Sequence, residues 1–129
     1  MTNSVIIADN SSSVAASIAE VFRAEGYTIL GVFNDGLSAL RCARETPPSV
    51  VTLDLILPRL SGLQLAESLG RLPAPPLMIA ISAVTARPRI TQAKNAGVRF
   101  YILKPLALDK LSKILSVTAS EEASQRAVG

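Results

Sequence analysis

Short apolar blocks of strand length alternate five times with segments of helical period along 129 residues, and few folds accommodate that order. Val5–Ala8, Thr28–Phe33, Val50–Leu53, Leu77–Ile81 and Phe100–Leu103 predict strands. Each is followed by a segment with apolar residues at helical spacing, so the units are β-α-β and their strands run parallel. The third block, Val50-Val51-Thr52-Leu53, is almost wholly apolar, as a strand covered on both faces should be. Right-handed crossovers and a change of winding direction after the first strand predict one α/β domain with a five-stranded parallel sheet in order 2-1-3-4-5. The length fits a single domain.

The helices carry their own punctuation. Ser11-Ser12-Ser13 supplies N-cap hydroxyls for a helix with Val14, Ile18, Val21 and Phe22 on one face and Gly26 at its end. Asn34-Asp35-Gly36 turns the chain into a second helix marked by Leu37, Leu40 and Ala43, which stops before Pro47-Pro48. Leu65, Ala66 and Leu69 mark the third, closed by Pro73-Ala74-Pro75-Pro76. Arg87–Ala96 has only Ile90 and Ala93 as an apolar face and Gly97 as its stop, which predicts loose packing. Leu108, Leu111 and Leu115 stripe the last helix, and from Thr118 the polar composition reads as a solvated tail or the start of a linker, so the domain is expected to occupy residues 1–117 and the tail 118–129.

Composition narrows the chemistry. No histidine is present, which removes the usual general base and the commonest metal ligand. The single cysteine, Cys42, excludes an internal disulfide and a thiolate metal cluster and reads as an ordinary helix residue. No run approaches the roughly 20 apolar residues of a membrane span, and the start of the chain has no export signal, so a cytoplasmic protein without membrane contact is expected. The net charge of +3 is uneven: Arg87, Arg89, Lys94, Arg99, Lys104, Lys110 and Lys113 face Asp109 alone over residues 87–113. Such a surface suits acidic partners or nucleic acid, although most basic stripes are simply solvated.

In open parallel sheets, ligands gather beyond the carboxyl ends of the strands. Asp9 and Asn10 follow the first strand, Asp54 the third, Ser82 the fourth, and Lys104-Pro105 the fifth. Two carboxylates with amide or backbone oxygens form a hard oxygen site suited to Mg²⁺. A cation there would neutralise phosphoryl oxygens, while a hydroxyl and an ammonium supply further contacts to them. Acid, metal, hydroxyl and lysine together describe phosphoryl transfer to Asp54. Taken singly, each residue could be a loop-end cap or salt-bridge partner; their coincidence at four strand ends favours the site.

Asp9, the block Leu53-Asp54-Leu55-Ile56-Leu57-Pro58 with Gly62, Ser82-Ala83, and Tyr101-Ile102-Leu103-Lys104-Pro105 resemble the receiver family of bacterial two-component response regulators, over residues 5 to about 117. The resemblance implies a flavodoxin-like doubly wound (βα)5 fold and a phosphoacceptor module, not a conventional enzyme. It implies that Asp54 is the phosphoacceptor, that Asp9, Asp54 and the Ile56 backbone carbonyl hold Mg²⁺, and that Ser82 and Lys104 grip the phosphoryl oxygens. Tyr101 matches the family's aromatic switch residue, acting with Ser82, and the peptide before Pro105 is expected to be cis. Arg87, Arg89, Lys94, Tyr101 and Lys110 would form the signalling face. The implied partners are a sensor histidine kinase or phosphotransfer protein, a possible second copy of the chain, and DNA only through an output domain. Within the family, the Phe100–Pro105 and Leu53–Pro58 blocks look most similar to receivers of sporulation-initiating transcription regulators of spore-forming Gram-positive bacteria, which place a DNA-binding domain after a hinge.

One departure concerns the metal. The family usually has a second acid after the first, and this chain has Asn10, whose amide oxygen could coordinate with less charge. That leaves open a pseudo-receiver, an interaction module that is not phosphorylated. A flavodoxin-type cofactor binder shares the element order, but Asp54 would repel a cofactor phosphate and Lys104-Pro105 would have no role.

Overall fold

The computed structural model describes residues 3–128, with side chains through Thr118. Five strands, β1 (Ser4–Ala8), β2 (Thr28–Phe33), β3 (Val50–Leu53), β4 (Leu77–Ser82) and β5 (Val98–Leu103), alternate with five helices. These are α1 (Ser12–Ala24), α2 (Gly36–Glu45), α3 (Gly62–Gly70), α4 (Arg87–Asn95) and α5 (Leu108–Val128). All strand pairs are parallel, in the order β2-β1-β3-β4-β5. The order of the sheet is the one the alternation and crossover rules require.

Period-two alternation divides the interior into two layers. Ile6, Ala8, Val51, Leu53, Met78 and Ala80 point to the side covered by α2, α3 and α4. Val5, Ile7, Val50, Ile79 and Ile81 point to the side covered by α1 and α5. Because both faces are covered, β1 and β4 are buried beyond their first residues, and β3 is buried at every position. Phe22 and Tyr27 meet edge to face at 4.9 Å, closing the α1–β2 corner.

Three helices start on side-chain caps. Ser11 accepts from the Val14 N–H, Asp35 from the Ser38 N–H at 2.7 Å, and Ser61 forms a capping box with Gln64. α4 has no side-chain cap, and Ala93 is its one buried residue. Three details differ from the sequence expectation. β5 begins at Val98, two residues early, because Val98 pairs with Met78 through a register shift that the run from Phe100 does not reveal. Leu108 is exposed, so α5 is anchored by Leu111 and Leu115. The backbone of α5 stays helical to Val128, past the change of composition at Thr118. Cys42 is half-buried with its thiol against the Leu30 carbonyl, and burial pushes its pKa up, which keeps it a weak nucleophile. Among the described residues no helix is long and apolar enough to cross a membrane.

Candidate functional site

Backbone hydrogen bonds carry the sheet one residue past its strands and so fix where the polar groups leave it. The Asp9 N–H donates to the Phe33 carbonyl at 3.0 Å, Asp54 N–H to Ala8 at 2.9 Å, and Lys104 N–H to Ser82 at 2.9 Å. Asp9 and Asp54 are therefore placed side by side on adjacent strands, each only 2% exposed. The Lys104-Pro105 peptide is cis.

Lys104 reaches back over the sheet edge. Its Nζ lies 2.9 Å from Asp9 Oδ1 and 2.8 Å from Asp54 Oδ2, so one ammonium holds both carboxylates. Burial would pull the lysine pKa down, but hydrogen bonds and charge from Asp54 and Asp9 outweigh it and hold the pKa above the ordinary 10.5. Asp9 Oδ1 also accepts from the Ser11 N–H at 2.8 Å, whereas its Oδ2 is buried without a partner among the described residues. Asp54 Oδ1 accepts from the Ile56 N–H at 3.0 Å.

The loop after β3 is held close to the acid. Gly62 opens α3 with its N–H donating to the Leu55 carbonyl at 3.0 Å, and a Cβ at Gly62 would collide with the Asp54 carbonyl oxygen. This gives a physical reason for glycine eight residues after the acid: α3 packs backbone to backbone against the site. Gly36 does the same against the Leu60 carbonyl, and Arg59 turns the loop with φ of 68°.

Asn10 sits opposite this loop. Sequence reasoning gave its amide oxygen a role toward a cation; in this structure its Nδ2 donates to the Ile56 carbonyl at 3.0 Å. Ser82 and Tyr101 are also joined through a residue that sequence reasoning missed. Val84 donates its N–H to Ser82 Oγ at 3.2 Å and accepts from the Tyr101 hydroxyl at 2.7 Å. Burial raises the Tyr101 pKa above its ordinary value, a hydrogen bond with Ser82 opposes that rise, and the charge of Asp54 adds to it. Val84 contributes only backbone atoms, so no side-chain signal could have singled it out.

Of the residues expected on the signalling face, Arg87, Arg89, Lys94 and Lys110 are exposed and Tyr101 is half-buried. Lys104, which counted toward the basic surface, belongs to the acid site instead. The remaining residues leave a hard-donor set of Asp9, Asp54 and the Ile56 carbonyl. The unpartnered, buried Asp9 Oδ2 fits a small divalent cation such as Mg²⁺, which needs few protein oxygens and keeps several waters. Among the described residues no third Asp, Glu, Cys or His joins them.

A doubly wound sheet with two buried acids and a lysine bridging them at its carboxyl edge defines a signalling module of the phosphoacceptor type. The chain belongs to the response regulator receiver domain family, whose model matches residues 5–116. It is 28% identical over 116 residues to the transcriptional regulatory protein PdtaR of Mycobacterium tuberculosis, covering 90% of this chain and 56% of PdtaR. Against the chemotaxis protein CheY of Thermotoga maritima the identity is 25% over 120 residues, covering 88% of this chain and all of CheY. A chain in the crystallised CheX–CheY–BeF3–Mg²⁺ complex of Borrelia burgdorferi matches with a TM-score of 0.81 and 25% identity, over 90% of this chain and 89% of its own. The chain thus spans about half of PdtaR and the whole of CheY.

Proposed function

We propose that this receiver domain takes a phosphoryl group on Asp54 in a two-component phosphorelay, with Mg²⁺ held by Asp9, Asp54 and the Ile56 carbonyl. The observation that carries the reading is the Asp54 carboxylate, buried at the tip of β3 and 2.8 Å from the Lys104 ammonium. A carboxylate oxygen of Asp54 would attack the phosphorus of a histidine-borne or small-molecule phosphoryl group, and the bond to the donor breaks. Mg²⁺, when bound, supplies positive charge to the phosphoryl oxygens. Lys104 would exchange its bond to Asp54 Oδ2 for one to a phosphoryl oxygen, keeping an ammonium where negative charge accumulates. The Ser82 hydroxyl would donate to another phosphoryl oxygen. The Borrelia complex contains Mg²⁺ together with BeF3, which supports the assignment of the cation.

The donor would be a sensor histidine kinase or phosphotransfer protein in the cytoplasm. Control of transcription through a DNA-binding output domain joined after residue 117 is the output we favour, since PdtaR is a transcriptional regulatory protein nearly twice as long as the matched segment. Sporulation as the regulated process rests on the motif likeness alone and has no support among these relatives. Incubation with acetyl phosphate and Mg²⁺ should add one phosphoryl mass, and Asp54→Asn should abolish the gain. A second reading, a pseudo-receiver that binds partners without phosphorylation, is favoured by the Asn10 amide lying on the Ile56 carbonyl. It prevails if wild type gains no mass in excess Mg²⁺ while Asn10→Asp does.

A further inference from the structure

We infer that the Asn10 side-chain amide competes with a divalent cation for the Ile56 carbonyl, so that this chain's metal affinity is set by a hydrogen bond as well as by its missing charge. The inference rests on the reading of Asp9, Asp54 and Ile56 as the Mg²⁺ site. At 3.0 Å from a carbonyl oxygen only the NH2 end of the amide can face it, because two oxygens at that distance repel. The positive end of an N–H dipole therefore lies against the oxygen that would bind the cation. The Ile56 carbonyl cannot swing aside freely, since the N–H of the preceding peptide, at Ile56, is held by Asp54 Oδ1 at 3.0 Å. Ile56 is thus clamped from both ends, by Asp54 through its neighbouring peptide N–H and by Asn10 through its carbonyl.

A cation approaching Asp9 and Asp54 has to turn the Asn10 amide away from Ile56. Once turned, the amide offers a neutral oxygen, a weaker ligand than the carboxylate that relatives of this family usually carry at that position. Asn10 is exposed and its side chain contributes nothing to either core layer, so substitutions there test the site without disturbing the fold.

Two substitutions separate charge from competition. Asn10→Asp adds a carboxylate and removes the donor; Asn10→Ala removes the donor and adds no ligand. Calorimetric titration of the folded wild-type protein with MgCl2, repeated on both variants, reads the three affinities. Asn10→Ala should bind Mg²⁺ about 2- to 10-fold more tightly than wild type, the factor that one net hydrogen bond represents. Asn10→Asp should bind more tightly still. Equal or weaker binding by Asn10→Ala overturns the inference, because Asn10 would then be either irrelevant or a simple oxygen ligand. If none of the three binds Mg²⁺, the Mg²⁺ reading itself fails, and an Asp9→Asn variant that still binds places the cation elsewhere. In wild type, the Asn10 side-chain amide resonances should move on addition of Mg²⁺ as the bond to Ile56 breaks; unchanged resonances with measurable binding also overturn the competition.

Discussion

Lys104 satisfies Asp9 and Asp54 at once, so its removal would leave two carboxylates, each 2% exposed, facing one another without a counter-charge. Lys104→Met keeps most of the apolar stem and isolates that effect. The loss should be about 2–4 kcal/mol at neutral pH, somewhat under the value for a fully enclosed pair because the lysine side chain keeps part of its hydration. Adding Asp54→Asn to Lys104→Met should return part of the loss, a coupling of about 1 kcal/mol or more in a double-mutant cycle of denaturant unfolding. Additive losses would mean that the ion pairs contribute nothing specific. The pKa directions give a pH test as well. Lys104 is raised, so its contribution is complete below the unfolded value of about 10.4 and is lost as pH rises through the folded value. Tyr101 is raised by burial and stays neutral in the folded state, so the unfolded chain ionises first and stability again falls above about pH 10. Unfolding midpoints should hold level from pH 8 to about 10 and then drop, with a shallower drop for Tyr101→Phe. The acids and the lysine of this cluster were legible in the sequence because each follows an apolar block, and strand ends are where such sheets bind ligands. The orientation of the Asn10 amide and the link through Val84 were not, since both depend on backbone groups that every residue possesses.

The helices are unequal in what fixes them. α1, α2 and α3 each have a side-chain N-cap and at least four buried residues, whereas α4 has neither a cap nor a second buried residue besides Ala93. Amide exchange under native conditions should therefore be fastest in α4 among these four, with protection well below that of α1. Comparable protection in α4 and α1 would show that the missing cap and thin apolar face are immaterial. Capping itself can be weighed at Asp35, whose carboxyl accepts from Ser38 and whose pKa is lowered chiefly by that backbone bond. Asp35→Ala should cost about 0.5–2 kcal/mol at neutral pH. A depressed acid stabilises above its unfolded value and loses that contribution as pH falls through the folded one, so the gap between Asp35→Ala and wild type should narrow below about pH 4. Strand and helix identity were readable throughout, because short apolar blocks alternate with longer segments of helical period. Boundaries were less so: the early start of β5 comes from pairing across a register shift, and the length of α5 from local helix propensity in a segment whose polarity alone reads as unstructured.

At the scale of the molecule, the acid site and the basic surface are joined by β5 and by the segment from Ser82 to Arg87 that leads from β4 into α4. Lys104 ends β5 in the site, Tyr101 stands three residues earlier on it, and α4 packs beside it with a thin apolar face. Tyr101 is held to Val84, and Val84 to Ser82, so a phosphoryl group on Asp54 that attracts the Ser82 hydroxyl would loosen the Val84 segment and free Tyr101 to change position. Only an interaction that differs between the two arrangements can shift their populations, and here it would be that of the Ser82 hydroxyl, whose oxygen accepts from the Val84 N–H in one and whose O–H would donate to a phosphoryl oxygen in the other. The exposed Arg87, Arg89, Lys94 and Lys110 would then be presented differently to a second copy or to an acidic partner. Phosphorylation of Asp54 should change amide exchange across residues 84–113 and shift self-association measured by sedimentation. Ser82→Ala should keep the phosphoryl mass gain yet weaken both responses, because the group that pulls on Val84 is gone. If phosphorylated wild type changes only in the loops around Asp9 and Asp54, with residues 87–113 unaltered, the route through Val84 and Tyr101 does not carry the signal.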